Sequence, residues 1–252
     1  MIVALEGIDA SGKATTSIAL KTAFLRDAFS SPIKRVKSHD FPHYQTIAGG
    51  VVGRILRGDL LIVPANEIHE VVRLEIPRPQ DLTARLARSW SKDKAAIIQS
   101  VMIADRLEHL HLLVEFANSP SNLLILDRYK ISGLAYGCAD GLESSWLQLI
   151  QSVLPDADLT VLLDVSVEES KRRRPERRDY YETNYNKLEE VRSNYLAIFK
   201  ELCDAQSGER PDESYLVVDG SLPPSKVSQK IVAAIWEKLD QLQATQESFD
   251  VH

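Results

Sequence analysis

The sequence predicts an α/β fold in three layers, with a parallel sheet of about five strands and helices on both of its faces. Short apolar runs alternate along the chain with longer stretches in which apolar residues recur at helical spacing. Such alternation is typical of a parallel sheet that helices cover on both sides. The 252 residues suit one domain, which we place at residues 1–243, followed by a tail at 244–252.

Five short runs are predicted as strands, at residues 2–6, up to about 38, 123–127, 159–165 and 215–218. Helical spacing predicts the connecting helices, at 14–29, 46–56, 93–116, 142–153, 167–174, 181–203 and 224–242. The helix at 93–116 has the clearest apolar stripe, formed by Ile97, Val101, Ala104, Leu107 and Val114. Residues 60–92 contain three prolines, and we interpret them as an insertion with some helix at 82–90.

Three glycines, Gly49, Gly50 and Gly53, lie inside the predicted helix at 46–56. Each interior glycine costs a helix up to about 1 kcal/mol relative to alanine. They mark either a weakly formed helix start or a close approach to a ligand or partner, and we favour the weak start.

Composition excludes several classes of protein. A net charge of −6 argues against a surface that binds nucleic acid broadly. No apolar run reaches the roughly 18 residues that a membrane span needs, and the N-terminus lacks a signal-peptide pattern. Cys138 and Cys203 form no disulfide framework or zinc spacing. We therefore expect a cytoplasmic protein whose partners include neither nucleic acid nor membrane.

The segment Gly7 to Ala14, with the sequence G-I-D-A-S-G-K-A, follows the phosphate-binding P-loop pattern except at its last position. Between a strand and a helix, its glycines let backbone N–H groups and the helix dipole surround phosphate. Lys13 is predicted to reach the β- and γ-phosphates of ATP, and Asp9 to contact Mg²⁺ or the acceptor. Ala14 stands where a hydroxyl usually binds Mg²⁺. The predicted ATP-binding residues are Gly7, Ile8, Asp9, Ala10, Ser11, Gly12, Lys13, Ala14 and Thr15.

A second signal follows the predicted strand at 123–127. Ligands of open α/β sheets bind beyond the carboxyl ends of the strands, so Asp127 and Arg128 are expected at the same edge as the P-loop. Asp127 can hold Mg²⁺ through water, and Arg128 can bind a phosphate with two parallel hydrogen bonds.

A basic run, K-R-R-R-P-E-R-R at 171–178, stands out in an acidic chain. It is either a solvated face or a lid whose arginines close over a transferred phosphoryl group. We favour a lid at about 171–180, with Arg174, Arg177 and Arg178 as candidate catalytic residues. Asp179 and Glu182 follow, and they either orient the lid or the metal, or simply place negative charge at a helix N-terminus.

These segments resemble, in order and across most of the chain, the thymidylate kinase family of P-loop nucleoside monophosphate kinases. The matching segments are E-G-I-D-A-S-G-K at 6–13, F-P-H-Y at 41–44, A-D-R at 104–106 with His109, D-R-Y-x-x-S-x-x-A-Y at 127–136, and D-x-x-E at 179–182. The resemblance implies a P-loop NTPase three-layer sandwich with a lid, phosphorylation of dTMP to dTDP with ATP and Mg²⁺, and a homodimer.

The resemblance also assigns roles. Arg128 would hold the acceptor phosphate, Tyr136 would crowd the 2′ position of the sugar, and Arg106 would read the base. The acceptor-binding residues would be Phe41, Tyr44, Met102, Arg106, Arg128, Ser132, Gly133 and Tyr136. The catalytic residues would be Lys13, Asp9, Arg128 and the lid arginines, and the metal contacts would be Asp9, Asp127 and Glu182.

Met102 stands where this family usually has a phenylalanine that stacks on the base. Two alternatives to a dTMP kinase stay open. Met102 leaves open a kinase for another deoxynucleoside monophosphate or for a deoxynucleoside. Ala14, which lacks the hydroxyl, leaves open a nucleotide-binding protein that has lost phosphoryl transfer.

Overall fold

The computed structural model describes residues 1–26, 32–60, 92–119, 121–174, 181, 184–205 and 214–250, with only the backbone described at 92, 93, 205 and 245–250. Five strands form one sheet: β1 (Ile2–Glu6), β2 (Arg35–Asp40), β3 (Asn122–Asp127), β4 (Leu159–Asp164) and β5 (Tyr215–Asp219). Every pairing is parallel, and the spatial order is β2-β3-β1-β4-β5. The predicted fold class is confirmed.

The described helices are α1 (Lys13–Arg26), α2 (Ile47–Arg57), α3 (Lys92–Glu108), α4 (Leu110–Ala117), α5 (Lys130–Ala139), α6 (Ser144–Gln151), α7 (Val167–Arg173), α8 (Tyr185–Ala205) and α9 (Pro224–Asp250). Within the ranges described above, none of them is long and apolar enough to cross a membrane.

Alternate side chains of the central strand β1 pack into different layers. Val3 and Leu5 belong to a cluster with Leu20 of α1 and Ile231 of α9. Ile2 and Ala4 belong to a second cluster, which includes Phe116 of α4. Because successive residues of a strand point to opposite faces, helices cover both faces of the sheet and form the predicted three layers.

The strand register brings the ends of the strands to one edge. Leu5 of β1 pairs with Asp127 of β3, and Asp127 in turn pairs with Asp40 of β2. On the other side, Asp164 of β4 pairs with Asp219 of β5. The loops that follow these strands therefore meet at the carboxyl edge, where ligands of such sheets bind.

The prediction of a single helix at 93–116 is wrong in two respects. The segment forms two helices, α3 and α4, that meet at His109. Three members of the predicted stripe, Ile97, Leu107 and Val114, are more than 40% exposed. The buried apolar side chains are instead Ala95, Ile98, Ile103, Leu112, Leu113 and Phe116. Ile97 and Leu107 both lie in α3, before the break at His109, so the predicted stripe was placed on the wrong face of that helix.

Other boundaries differ less. β2 continues to Asp40, α8 begins at Tyr185 rather than at 181, and α9 runs to Asp250, so the predicted tail is helical up to that residue. The insertion at 60–92 lies outside the described residues except at its two ends. Cys138 and Cys203 are both free thiols.

The glycines of α2 mark close packing, so the favoured weak helix start is wrong. The side chain of Thr46 caps the helix by accepting a hydrogen bond from Gly49 N. A Cβ on Gly49 would lie 2.1 Å from the carbonyl oxygen of His43, and one on Gly53 would lie 2.7 Å from the ring of Tyr44. The close neighbour is the chain's own loop at 41–46, rather than a ligand or partner.

We predict opposite effects for two adjacent glycines of α2. Gly49→Ala should lower the free energy of unfolding by about 2 kcal/mol, because the added methyl group collides with backbone that cannot move freely. Gly50→Ala should raise it by up to about 1 kcal/mol, because its Cβ meets Tyr44 O at an ordinary 3.5 Å and alanine favours a helix. Urea unfolding of both variants checks this; equal effects would contradict it.

Candidate active site

The loop between β1 and α1 has a backbone that demands small residues. Gly7 and Gly12 have φ angles of 134° and 103°, and Ala10 has a φ of 56°. A Cβ on Gly7 would lie 2.6 Å from the carbonyl oxygen of Leu163, so glycine is required there by space as well as by conformation. The tight turn brings the N-terminus of α1, where the leading N–H groups of a helix have no partner within the helix, to the carboxyl edge of the sheet.

A cavity of about 800 Å³ opens over this loop. All predicted ATP-binding residues from Asp9 to Thr15 line it, together with Thr16, whereas Gly7 and Ile8 are buried at the start of the loop. The rest of the wall includes the C-terminal end of α7 and residues 220–224 after β5. The concave side of the P-loop is thus open to a phosphate chain. Ala14 contributes only a methyl group to this wall, so it offers no hydroxyl to a metal ion.

Carboxylates stand at the rim of this cavity. Asp40 and Asp127, at the ends of the paired strands β2 and β3, both line it. In the part of the chain that the structure describes, no group of three or more histidine, cysteine or acidic side chains could hold a metal ion. Asp9 and Asp127, two of the three predicted metal contacts, both line the cavity. Their carboxylate oxygens suit Mg²⁺, which usually keeps several waters and takes its other oxygens from phosphates. The third predicted contact, Glu182, lies outside the described residues.

Lys13 points into the P-loop. Its Nζ donates to the carbonyl oxygens of Gly7 and Ile8, at 3.0 Å each, and the side chain is 94% buried. Burial, and then the nearby charge of Arg128, lower the pKa of Lys13 to about 8. An ammonium group in such a desolvated place is a strong partner for an incoming phosphate oxygen.

Asp9 and Arg128 form an ion pair that joins the loops after β1 and β3. Arg128 donates to Asp9 Oδ1 at 2.6 Å and to Gly7 O at 3.1 Å. The hydroxyl of Tyr136 donates to the other carboxylate oxygen of Asp9 at 3.2 Å. Burial alone would raise the pKa of Asp9, but the charges of Arg128 and Lys13 lower it below its usual value of 3.8. The carboxylate therefore stays ionised at neutral pH.

A second pocket adjoins the first at this ion pair. Both are lined by Asp9 and Arg128, as well as by Phe41, Pro42 and Tyr44 of the loop after β2. All eight residues predicted to bind the acceptor line the second pocket: Phe41, Tyr44, Met102, Arg106, Arg128, Ser132, Gly133 and Tyr136. The structure thus brings these eight residues together from three separate segments of the chain, at 41–44, 102–106 and 128–136.

The loop after β2 is fastened to α3 by Asp105, which sequence reasoning left without a role. Asp105 accepts hydrogen bonds from His43 N at 3.0 Å and from the Thr46 hydroxyl at 2.8 Å. The peptide bond between Phe41 and Pro42 is cis. The two hydrogen bonds to Asp105 hold Phe41 and Tyr44 against the second pocket.

Arg106 lies at the inner end of the second pocket and is only 3% exposed. Its two terminal nitrogens donate to Gln151 Oε1 at 3.0 Å and to Tyr129 O at 2.7 Å. Its Nε has no hydrogen-bond partner in the ranges that the structure describes. Gln151 is 45 residues away in sequence, and nothing in the pattern of residues pointed to it.

A buried carboxylate supports the floor of the site. Glu6, at the end of β1, accepts hydrogen bonds from Ser132 Oγ, from Tyr129 N at 3.0 Å and from Tyr195 OH at 3.3 Å. Burial raises the pKa of Glu6 above its usual 4.5. Tyr195 belongs to α8 and was missed at the sequence level, because one tyrosine on a helix looks like any other core residue.

The basic run divides between the described and the undescribed parts of the chain. Arg174 lines the first cavity, whereas Arg177 and Arg178 lie outside the described residues. Positions 171–173 of the predicted lid belong to α7. Arg173, which was not among the candidate residues, donates to Ala10 O at 3.3 Å and to Gly220 O at 2.7 Å. It therefore links the P-loop to the loop after β5.

Comparisons with known proteins show the family to which the chain belongs. The model of a protein family described as Thymidylate kinase matches residues 65–231. A probable thymidylate kinase of Pyrococcus abyssi is 33% identical over 208 residues, which are 79% of this chain and 84% of that protein. Probable thymidylate kinase 1 of Saccharolobus solfataricus is 24% identical over 238 residues, 94% of this chain and 98% of the relative.

A solved structure supports the fold. The thymidylate kinase of Candida albicans superimposes with a TM-score of 0.64 at 22% identity, covering 96% of this chain and 92% of that one. At this identity the likeness concerns the three-layer architecture.

We predict that Lys13 makes stability depend on pH. A lysine whose pKa is lowered from 10.5 to about 8 binds fewer protons in the folded than in the unfolded chain between those values, so stability rises with pH there. Relative to Lys13→Met, the wild-type free energy of unfolding should increase by about 2 kcal/mol between about pH 7.5 and about pH 9.5. Urea titrations at both pH values measure this difference. Parallel pH profiles would contradict it.

Proposed function

This chain belongs to the thymidylate kinase family, the enzymes that phosphorylate dTMP, and we propose that it does so by transferring the γ-phosphoryl group of ATP with the help of Mg²⁺. The observation that carries this proposal is the junction of the two pockets. A P-loop cavity and a pocket lined by the predicted acceptor residues meet at Asp9 and Arg128. Two anionic substrates that enter from opposite sides would meet end to end there.

The donor side depends on the P-loop and on Lys13. Backbone N–H groups at the start of α1 would hold the phosphates of ATP, and Mg²⁺ bound to those phosphates would neutralise charge. Lys13 would move its ammonium group from the carbonyl oxygens of Gly7 and Ile8 to a phosphate oxygen. Since Ala14 lacks a hydroxyl, the side chains proposed for the metal are Asp9, Asp127 and Glu182.

The acceptor side depends on Arg128. Its guanidinium is already oriented by Asp9 and Gly7 O, so little conformational freedom is lost when it binds the acceptor phosphate. Tyr136 donates to Asp9 and would occupy the space that a 2′-hydroxyl needs, which favours deoxyribose. Met102 and Arg106 would contact the base.

No general base is needed. The attacking oxygen of the acceptor phosphate is already an anion, so the enzyme has to align the two phosphates and neutralise their charge. Arg174 lines the donor cavity, and we propose that it stabilises the transferred group together with Arg177 and Arg178. A cytoplasmic location stays a prediction from the sequence.

A panel of acceptors tests the function. With ATP and Mg²⁺, the protein should form ADP fastest with dTMP, and more slowly with dUMP, dGMP, dCMP and thymidine. A faster reaction with thymidine would contradict the monophosphate acceptor, and a faster reaction with dCMP or dGMP would favour a different deoxynucleotide. ADP formation that does not depend on any of the five would indicate loss of transfer.

A pair of matched variants in α1 serves as control. Lys13→Met should lower turnover on the order of a hundredfold or more, because the transferred group loses a buried cation. Lys21→Met, at an exposed position of the same helix, should leave turnover unchanged. If both variants kept wild-type rates with normal thermal unfolding, the role of Lys13 would be refuted.

We also propose that the enzyme is a homodimer, as the resemblance implies. Ile47 of α2 and Ile97 of α3 expose 83% and 45% of their area on two helices that pack against each other. A contiguous apolar patch on a surface marks a protein interface, and we propose that these two side chains belong to one such patch. Light scattering should give twice the mass of one chain, and the double variant Ile47→Glu, Ile97→Glu should give the mass of one. A single-chain mass for wild type would contradict the dimer.

A further inference from the structure

The contacts of Arg106 leave it with a fixed orientation. Its side chain is almost completely buried, and its two terminal nitrogens are each committed to one acceptor, Gln151 Oε1 and Tyr129 O. One of these acceptors is a backbone oxygen that any residue at 129 would supply. The other is a side chain, so the sequence can change it. The direction in which the guanidinium faces therefore depends on Gln151.

The carboxamide of Gln151 is itself held in one orientation. Gln151 is 2% exposed and ends α6. Its Nε2 donates to Leu147 O, one turn earlier, at 3.1 Å. Because the amino group is used within the helix, the carbonyl oxygen is the group turned towards Arg106. A hydrogen bond to a charged donor in a buried place is among the stronger ones in proteins.

The space that the carboxamide occupies exists only because residue 133 is glycine. A Cβ on Gly133 would lie 2.7 Å from Gln151 Oε1 and 3.1 Å from its Cδ. Gly133 also lines the acceptor pocket beside Arg106. α5 and α6 thus pack so closely that the end of Gln151 fills the position where a side chain of residue 133 would begin.

We propose that Gln151 is a positioning residue, which orients the guanidinium of Arg106 towards the base of the acceptor. We also propose that Gln151 can do so only because residue 133 is glycine, which leaves room for its carboxamide. The proposal rests on the proposed function and names the part of the fold that sets its base selectivity. Gln151 contacts Arg106 and Gly133 but is not among the residues that line the pocket.

The chemistry of the guanidinium defines which bases it favours. Arginine offers only donors, and Nε of Arg106 is still unpartnered in the described part of the chain. An aimed guanidinium therefore suits a pyrimidine with a carbonyl oxygen at position 4, as in thymine or uracil. It opposes the amino group at that position in cytosine, because two donors would face each other and stay unpaired.

Gln151→Met tests the proposal, because methionine keeps the length of the side chain and removes the carboxamide. We expect the KM for dTMP to rise roughly tenfold, and the ratio of kcat/KM for dTMP to that for dCMP to fall roughly tenfold. The kcat with saturating dTMP and the KM for ATP should stay close to wild type. Gln148→Met is the matched control on the same helix, since Gln148 is exposed and its side chain donates to the neighbouring Ser144.

A double-mutant cycle shows whether Gly133 acts through Gln151. Gly133→Ala should raise the KM for dTMP and reduce the discrimination against dCMP, because the new methyl group displaces the carboxamide of Gln151 from its position beside Arg106. In Gln151→Ala that carboxamide is absent. Gly133→Ala should therefore add no further change to Gln151→Ala. Fully additive effects would mean that residue 133 acts on the ligand directly, and would overturn this part of the proposal.

The outcomes separate this proposal from the proposed function. If wild type fails to phosphorylate dTMP, the function itself is wrong. If wild type is active, but Gln151→Met keeps both the KM for dTMP and the preference over dCMP, the positioning role is overturned. If Gln151→Met lowers kcat for all acceptors and the melting temperature together, with unchanged base preference, Gln151 serves the fold alone and the proposal is likewise overturned.

Discussion

The ion pair between Asp9 and Arg128 is the contact on which the site depends. β1 and β3 are neighbours in the sheet, and their ends are in register, so the loops that follow them leave the same edge. Arg128 has a φ of 67°, a backbone conformation that costs on the order of 1 kcal/mol for a residue with a side chain. Its hydrogen bonds to Asp9 and Gly7 O offset that cost. The same bonds fasten the P-loop to the acceptor pocket.

The charges around this pair are buried in groups that compensate one another. Lys13, Asp9 and Arg128 lie within one another's fields, which is why the pKa of Asp9 falls although burial would raise it. Isolated burial of any of them would be strongly unfavourable. Lys13 is held by carbonyl oxygens whose attraction is weaker than that of a phosphate. A phosphate oxygen would therefore compete favourably with these carbonyl oxygens for the ammonium group of Lys13.

Three glycines around the site are required because a side chain at their positions would collide with a neighbouring segment. Gly7 lies against β4, Gly49 against the loop at 41–46, and Gly133 against Gln151. In each case the absence of a side chain leaves room for another segment of the chain to pack directly against the glycine. Space therefore requires glycine at positions 49 and 133, although alanine would form a better helix. The shape of the acceptor pocket therefore depends both on the side chains that line it and on the positions where glycine provides none.

The sequence by itself determined the local features: five strands, the P-loop, the basic run and the residues that resemble a family motif. Each depends on residues near one another in the chain, where spacing and turn chemistry act. Only the tertiary structure decided which face of α3 is buried, why Gly49 is glycine, and that Gln151, Tyr195 and Arg173 support the site. These features depend on contacts between segments that are far apart in the chain. The sequence around each of these residues does not show which distant segment will pack against it.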